Sequence, residues 1–266
     1  MLGAIIGDIV GSRFEWDNYK KKDFDFFNKD CFFTDDSVMS LAICDAYLKD
    51  FDNEYKGKNI LIKSMQTLGR KYPASGYGDH FALWITENNP KPYGSYGNGA
   101  AMRISGCGFS ATSIYEVKHM SVLITEVSHN HPESFKGAEA TAVAIYLART
   151  GKNKEEIKTF IKDNYYQINF TLDEIRENYE FDESCQGTVP QALEAFFESN
   201  SFEDAIRNAI SIGGDSDTIG AITGGIAEAY YGISEEMRDK AKTYLDFTLL
   251  DILERFEKRY GAKILK

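Results

Sequence analysis

Several features that define other protein classes are scarce or absent in this chain of 266 residues. The four cysteines are scattered and form no Cys-x-x-Cys pair, which excludes a zinc knuckle and a dithiol redox motif. We expect four reduced, mostly buried thiols. Proline is sparse, at 5 residues, and no Pro/Ser-rich or low-complexity stretch divides the chain. We therefore predict a single domain over residues 1–266.

Positive charge and long apolar runs are also in short supply. The formal net charge is −11, so the chain repels polyanions on average, which disfavours a stable nucleic-acid partner. Residues 1–10 are apolar but have no basic lead and are interrupted by Asp8, so we expect neither a signal peptide nor a membrane span. These observations favour a cytoplasmic protein without a membrane partner. They leave the oligomeric state open.

Hydrophobic residues make up 43% of the chain, which is enough for a large core, and they recur at helical spacing. Period-two alternation and hairpin turns are scarce, and no strand–helix alternation indicates a parallel sheet, so we predict the all-α class. The predicted helices are residues 2–11, 38–48, 58–71, 79–85, 113–127, 133–150, 154–163, 189–197 and 202–210, a run from 213 to 231, and residues 235–260. Irregular structure is expected over residues 12–33, 88–99 and 165–187.

Two acidic segments of similar design stand directly ahead of predicted buried helices: residues 34–36 (Thr-Asp-Asp) and residues 215–218 (Asp-Ser-Asp-Thr). Either segment alone is explained by helix capping, because the helix dipole and free N–H groups favour carboxylates there. Packed together, the two would gather four carboxylates, which would raise each other's pKa values sharply without cations. Such oxygen ligands suit Mg²⁺, Mn²⁺ or Ca²⁺ and disfavour zinc, and their spacing does not match an EF-hand.

Further motifs are ambiguous by themselves. Residues 94–103 (Gly-Ser-Tyr-Gly-Asn-Gly-Ala-Ala-Met-Arg) resemble a phosphate-binding loop only loosely, because the P-loop Lys-Ser/Thr and a preceding strand are missing. The alternative is a loop before a small-residue helix. Gly213 and Gly214 fit either close approach to a ligand or a tight turn. His129 and His131 could bind a metal, but a role in a helix N-terminal turn is the more common explanation.

Taken in chain order, these motifs are similar to those of the ADP-ribosylglycohydrolase family. This family includes the dinitrogenase reductase-activating glycohydrolases and the animal ADP-ribosyl-acceptor hydrolases. The likeness runs over residues 3–231, and five motifs in the right order make it specific. The matching residues are 7–12 with Glu15, 34–37, 94–103, 128–132 and 213–218.

The resemblance implies a compact orthogonal bundle of helices with two divalent cations, Mg²⁺ or Mn²⁺, at the base of a cleft. The implied metal ligands are Thr34, Asp35, Asp36, Asp215, Asp217 and Thr218. The implied substrate-binding residues are Gly94, Ser95, Gly97, Asn98, Gly99 and His129. Glu15 matches a residue that acts as catalytic acid/base or as a gated metal ligand. Asp8 matches an acid behind the metal ligands, although it would equally serve as an N–H acceptor in helix packing.

The implied activity is hydrolysis of the glycosidic bond between ADP-ribose and an acceptor, which is a protein side chain, a nucleobase or a small molecule. The glycine loop and a helix N-terminus would receive the diphosphate without Lys or Arg. Residues 166–183 resemble the family least, and variable loops of this kind can set acceptor choice. Three alternatives stay open: a non-catalytic ADP-ribose-binding or structural member, a binuclear-metal phosphohydrolase, and a helical interaction protein.

Overall fold

The computed structural model describes residues 1–51 and 57–261 and confirms the all-α class. Within these residues, the one strand-like feature is an isolated antiparallel bridge between Gly97 and Ser184. The helices are α1 (Leu2–Gly11), α2 (Asp35–Leu48), α3 (Gly57–Lys71), α4 (Asp79–Thr86), α5 (Gly99–Met102), α6 (Ser105–Ser110), α7 (Ile114–Thr125), α8 (Pro132–Arg149), α9 (Lys154–Asn164), α10 (Leu172–Arg176), α11 (Cys185–Phe197), α12 (Phe202–Ile210), α13 (Ser216–Tyr231), α14 (Glu235–Lys242) and α15 (Phe247–Tyr260).

The interval 165–187, predicted to be irregular, contains two helical pieces. It includes α10, and α11 begins at Cys185 instead of at residue 189. Gly187 and Pro190 are poor helix formers, and they obscure the true start of α11 in the sequence. The start is set by Ser184, whose hydroxyl accepts the backbone N–H of Gly187 at 3.1 Å.

The prediction of one continuous helix over residues 235–260 is wrong. The chain forms α14 and α15 with a turn between them. Asp246 produces the break, because its carboxylate accepts the backbone N–H groups of Thr248 at 2.9 Å and Leu249 at 3.0 Å. A side chain that satisfies two N–H groups at a new helix start favours ending one helix and beginning the next.

Helices α1 and α13 cross at the centre of the core, and every residue of α1 is buried. A Cβ atom on Gly7 would overlap the carbonyl group of Gly220, and one on Gly11 would lie 2.5 Å from the carbonyl oxygen of Ser216. The two backbones therefore touch along an antiparallel crossing that tolerates no side chains at these positions. The crossing brings the end of α1 to the start of α13.

One continuous cluster of buried apolar side chains surrounds this crossing, with contributions from α2, α8, α11, α12 and α15. The core therefore holds α1 and α13 as fixed central elements, and their polar ends lie at its edge. In the described part of the chain, none of the helices combines the length and apolarity needed to cross a bilayer.

We predict that Gly7→Ala lowers the free energy of unfolding by about 3 kcal/mol, because the added methyl group meets backbone that cannot move away without opening the crossing. Denaturant-induced unfolding followed by circular dichroism measures this change. Gly78→Ala is the matched control, since a Cβ at Gly78 has no atom within 4 Å and its φ is −59°. Equal effects of the two substitutions would contradict the packing argument.

Candidate metal centre

The two acidic segments meet at the edge of the core. Asp215 and Asp217 each place a carboxylate oxygen within 4.8 Å of the other and of a carboxylate oxygen of Glu15. The hydroxyl of Thr218 donates to Oδ2 of Asp36 at 3.2 Å, which joins the start of α13 directly to the start of α2. The structure therefore brings together acids that lie far apart in the sequence.

Asp8 connects α1 to the beginning of α2. Its carboxylate accepts a hydrogen bond of 2.7 Å from the hydroxyl of Thr34. It also accepts hydrogen bonds of 3.0 Å from the backbone N–H groups of Thr34 and Ser37. It also accepts the hydroxyl of Ser37. Thr34 in turn accepts the N–H of Asp36 at 3.3 Å as the N-cap of α2. Asp8 thus holds the Thr-Asp-Asp turn in place from behind.

The carboxylates of Asp35 and Asp36 differ in their hydrogen bonding. Oδ1 of Asp36 is buried and has no hydrogen-bond partner among the described residues. The backbone N–H of Asp35 donates to the carbonyl of Ser75 at 2.7 Å, and its half-buried carboxylate lies beside this N–H group, whose hydrogen bond lowers the carboxyl pKa. A buried carboxylate oxygen without a donor is costly unless a cation or a proton satisfies it.

Burial and mutual repulsion raise the pKa values of the whole cluster. Burial, opposed by four hydrogen bonds from Thr34 and Ser37, raises the pKa of Asp8 to about 6. Burial also raises the pKa of Asp215 to about 6. Burial and then the charge of Asp217 raise the pKa values of both carboxyls of the Thr-Asp-Asp turn well above their usual range. Such a cluster favours binding of protons or divalent cations.

Glu15 lies at the accessible side of the centre and is half-buried. Burial, followed by repulsion from Asp217 and Asp8, raises its pKa to about 7, whereas a hydrogen bond from the Trp16 side chain lowers it. The same segment is fixed to the turn before α13, because Oδ1 of Asn18 accepts the backbone N–H of Gly214 at 3.1 Å.

Gly213 and Gly214 form that turn, with φ values of +69° and +72°. A Cβ on Gly213 would meet the side chain of Asn18, and one on Gly214 would meet the ring of Tyr179. Both observations support the tight-turn interpretation of these glycines, because the left-handed region strongly favours glycine. The turn aims Asp215 into the centre from the N-cap position of α13.

The glycine loop, residues 94–99, contacts the acidic centre through Asn98. The side-chain amide of Asn98 donates to Oδ2 of Asp215 at 2.7 Å and to the hydroxyl of Thr188 at 3.0 Å. Its backbone N–H donates to the carbonyl of Glu183 at 2.7 Å. Gly94, with a φ of +73°, donates its N–H to the Asn130 side chain at 2.6 Å. The predicted substrate loop and the predicted metal ligands therefore share one site.

The two histidines of the predicted His pair differ. His129 is buried beneath the glycine loop, and a Cβ on Gly99 would lie 3.3 Å from its Nε2 atom. His131 is the N-cap of α8, and its Nδ1 accepts the backbone N–H of Glu133 at 3.2 Å. His131 therefore has the capping role that the sequence also allowed, and its ring packs edge-on against Tyr96 of the loop with centroids 5.5 Å apart, whereas His129 lies beneath the loop glycines.

Sequence reasoning missed two features of the site. Trp16 and Phe181 are exposed and stack with ring centroids 5.0 Å apart, although they lie far apart in the sequence. Arg103 and Ser128 lie buried behind His129 and are hydrogen-bonded to each other. Arg103 and Ser128 belong to motifs noted above, but their residue types and spacing did not indicate that they are in contact.

An all-α fold in which buried carboxylates at helix ends face a glycine-rich loop defines a class of protein that could bind divalent cations beside a polar ligand. The ADP-ribosylglycohydrolase family model matches residues 1–262, and the chain belongs to that family.

Curated relatives and a solved structure agree with this membership. The chain is 26% identical to ADP-ribosylhydrolase ARH3 of Bos taurus over 87% of this chain and 74% of that protein. It is 28% identical to ADP-ribosylarginine hydrolase Tri1 of Pseudomonas putida (strain GB-1), over 88% of this chain and 70% of that protein. A solved structure, the ADP-ribosylglycohydrolase-related protein complex, aligns with a TM-score of 0.68 at 22% identity, covering 96% of this chain and 95% of that chain. This last likeness supports the fold.

We predict that divalent cations stabilise the protein, and more strongly at pH 8 than at pH 5. The folded-state pKa values of Asp8, Asp215 and Glu15 are raised to about 6, 6 and 7. The folded state therefore binds more protons than the unfolded state between about pH 4 and 7, and stability in EDTA falls as pH rises through this window. Mg²⁺ or Mn²⁺ at about 100 times its Kd should then raise Tm by about 5 °C or more.

Differential scanning fluorimetry with EDTA or added cation measures this effect. Asp217→Asn should remove most of the cation-dependent shift, whereas the exposed Asp239→Asn on α14 should leave it unchanged. A shift of the same size in Asp217→Asn and in the unsubstituted protein would show that the cation binds elsewhere.

Proposed function

We propose that this protein hydrolyses the glycosidic bond between ADP-ribose and an acceptor, with two divalent cations, Mg²⁺ or Mn²⁺, at its acidic centre. The observation that carries the proposal is the hydrogen bond of 2.7 Å between Asn98 and Asp215, which joins the glycine loop to the carboxylate cluster. One bound molecule can therefore reach both. The relatives named for hydrolysis of ADP-ribosyl groups support the same reaction class.

The residues present fit the cations. The proposed ligands lie in two groups at the starts of α2 and α13: Thr34, Asp35 and Asp36, and Asp215, Asp217 and Thr218. Oδ1 of Asp36 is buried and has no donor among the described residues, as expected of a ligand atom. Carboxylate and hydroxyl oxygens are the donors that Mg²⁺ and Mn²⁺ prefer. When bound, such ions polarise sugar and water oxygens and offset negative charge near the reacting carbon.

Glu15 is the proposed acid/base. Its carboxyl is half-exposed, so substrate can reach it. Burial and repulsion from Asp217 raise its pKa to about 7 before cations bind, and bound cations would lower it by offsetting that repulsion. Glycoside cleavage passes through an oxocarbenium-like state and needs a proton donor for the leaving group or a base for the water. The Trp16 side chain lies next to Glu15, and its hydrogen bond lowers the pKa of the carboxyl.

The glycine loop is the proposed site for the diphosphate and the adjoining ribose. Gly94, Ser95, Gly97 and Gly99 leave backbone close to the cleft, with Gly94 and Tyr96 exposed at its outer part. The loop is fixed at its other end by the bridge between Gly97 and Ser184. A fixed loop with small residues binds an extended anion with little loss of conformational freedom.

The proposed function is tested by incubating the protein with defined ADP-ribosylated substrates, linked through arginine, serine or an O-acetyl ester, with and without EDTA. Release of free ADP-ribose that EDTA abolishes is the expected result. AMP or inorganic phosphate as product would instead support the phosphohydrolase alternative. Binding of ADP-ribose without release from any substrate would support the non-catalytic alternative.

We predict that Glu15→Gln lowers kcat by about 10²–10⁴-fold, because the amide cannot exchange a proton with the leaving group or with water. The Kd for free ADP-ribose should stay within a few-fold. Single-turnover kinetics and isothermal titration calorimetry measure the two quantities. Asp17→Asn, on the same segment but exposed, is the matched control. Unchanged kcat in Glu15→Gln would remove Glu15 from the reaction, and loss of cation binding would assign it as a metal ligand.

The stacked pair of Trp16 and Phe181 is the proposed acceptor side of the cleft. The two residues are 78% and 42% exposed, and the Trp16 side chain is hydrogen-bonded to Glu15. Phe181 lies in the stretch that resembles the family least. The nearby backbone of Glu183 binds the glycine loop, so this stretch is held next to the site. An exposed aromatic surface beside the proposed acid/base is suited to contact the acceptor, which is the leaving group of the reaction.

We predict that Phe181→Ala lowers kcat/KM for an ADP-ribosylated protein about fivefold, because an aromatic contact contributes about 1 kcal/mol. The Kd for free ADP-ribose, which has no acceptor, should not change. Tyr115→Ala on α7, which removes a ring that is 76% exposed, is the control and should affect neither quantity. Equal losses for the protein substrate and for free ADP-ribose would place Phe181 on the nucleotide side.

A further inference from the structure

Arg103 is a buried cation without an acidic partner. Its side chain is 1% exposed, and in residues 1–51 and 57–261 no carboxylate lies within 4.0 Å of its guanidinium. Its Nε has no hydrogen-bond partner there, and the guanidinium lies 5.4 Å from the centre of the Phe81 ring. Burial lowers its pKa to about 10, so it remains charged at neutral pH. Such a charge is costly, which calls for a ligand or function that offsets it.

A chain of hydrogen bonds begins at the guanidinium of Arg103. Its Nη2 donates to the hydroxyl oxygen of Ser128 at 2.7 Å, and that oxygen lies 2.9 Å from Nδ1 of His129. Ser128 is fully buried, so its one hydroxyl proton needs an acceptor. Nδ1 of His129 is the acceptor the described residues provide, because the guanidinium can only donate. The chain therefore runs from Arg103 through Ser128 to His129, and it places the ring proton of His129 on Nε2.

Nε2 of His129 faces the glycine loop. A Cβ would lie 3.3 Å from this atom if built on Gly99 and 3.8 Å if built on Gly97. Burial, followed by the charge of Arg103, moves the pKa of His129 well below its usual value, so the ring is neutral and carries one proton. The loop consequently has a fixed N–H donor beneath it, with a buried positive charge behind that donor.

We propose that Arg103 and Ser128 are positioning residues that fix His129 as an Nε2–H donor to the diphosphate of ADP-ribose, and that the buried charge of Arg103 contributes to binding of this anion. The inference rests on the proposed function. It adds a cationic group to a loop that the sequence indicated would bind a diphosphate through N–H groups alone. It also explains how a chain with a net charge of −11 and an adjacent cluster of carboxylates binds an anion.

A purely structural role for Arg103 makes different predictions, and two ligands separate the roles. ADP-ribose carries the diphosphate, and adenosine does not. NMR titrations should show that Arg103→Met weakens ADP-ribose binding about tenfold, as loss of a charge-assisted interaction does, and changes adenosine binding less than twofold. Equal weakening for both ligands, or no weakening for either, would overturn the proposal.

The tautomer of His129 is tested directly by ¹⁵N chemical shifts of its ring. The expected form is Nε2–H in the unsubstituted protein and in Ser128→Thr, which keeps a hydroxyl. Ser128→Ala should release the ring into a mixture of tautomers and weaken ADP-ribose binding several-fold. An Nδ1–H form in the unsubstituted protein would show that Nδ1 does not accept a hydrogen bond from Ser128, and would refute the proposed hydrogen-bond chain.

These measurements also separate failure of the inference from failure of the proposed function. If the unsubstituted protein does not bind ADP-ribose, the function is wrong, whereas the tautomer measurement still decides the hydrogen-bond chain. If Arg103→Met does not fold, Ser128→Ala and Ser128→Thr decide the proposal through the same two titrations.

Discussion

The backbone contact between α1 and α13 is the constraint on which the rest of the site depends. A Cβ on Gly11 would lie 2.6 Å from Cα of Asp217, so the end of α1 rests against the first turn of α13. Asp8, one turn earlier on α1, holds the start of α2 by hydrogen bonds. A single buried helix thereby sets the positions of both acidic segments, and any side chain at the crossing would move one relative to the other.

Helix capping and cation binding were competing explanations of the acidic segments. The first segment is compatible with both, whereas Asp215, at the N-cap of α13, makes no side-chain capping hydrogen bond. The N-termini of α2 and α13 point into the same space, and their dipoles partly offset the carboxylate charge there. Thr34 shows the overlap, since it caps α2 while standing among the proposed ligands. The offset is incomplete, because the pKa values of the acids remain raised. The remaining excess of negative charge is what a divalent cation would neutralise.

The sequence predicted those features that depend on short motifs or on helical periodicity. The bounds of residues 2–11 and 202–210 are as predicted, and the two acidic segments meet as expected. Local capping was harder to foresee: the N-cap at Asp246 divides a stretch whose apolar spacing is otherwise continuous. Contacts between distant residues were beyond reach, because nothing in the spacing of Trp16 and Phe181 indicates that they stack. Arg103 was also missed, since an arginine is ordinarily exposed and its burial depends on the tertiary packing around it.

The proposed cation ligands come from opposite ends of the polypeptide, and this has a consequence for biosynthesis. The hydrogen bond between Asp36 and Thr218 spans 182 positions, and α1 finds its central partner only when α13 has left the ribosome. Until then the nascent chain carries an apolar N-terminal segment without its packing surface, which is a state prone to aggregation and a natural client for chaperones. Binding of the proposed cations would accordingly be a late event, coupled to completion of the core, and so large a chain separation favours slow folding.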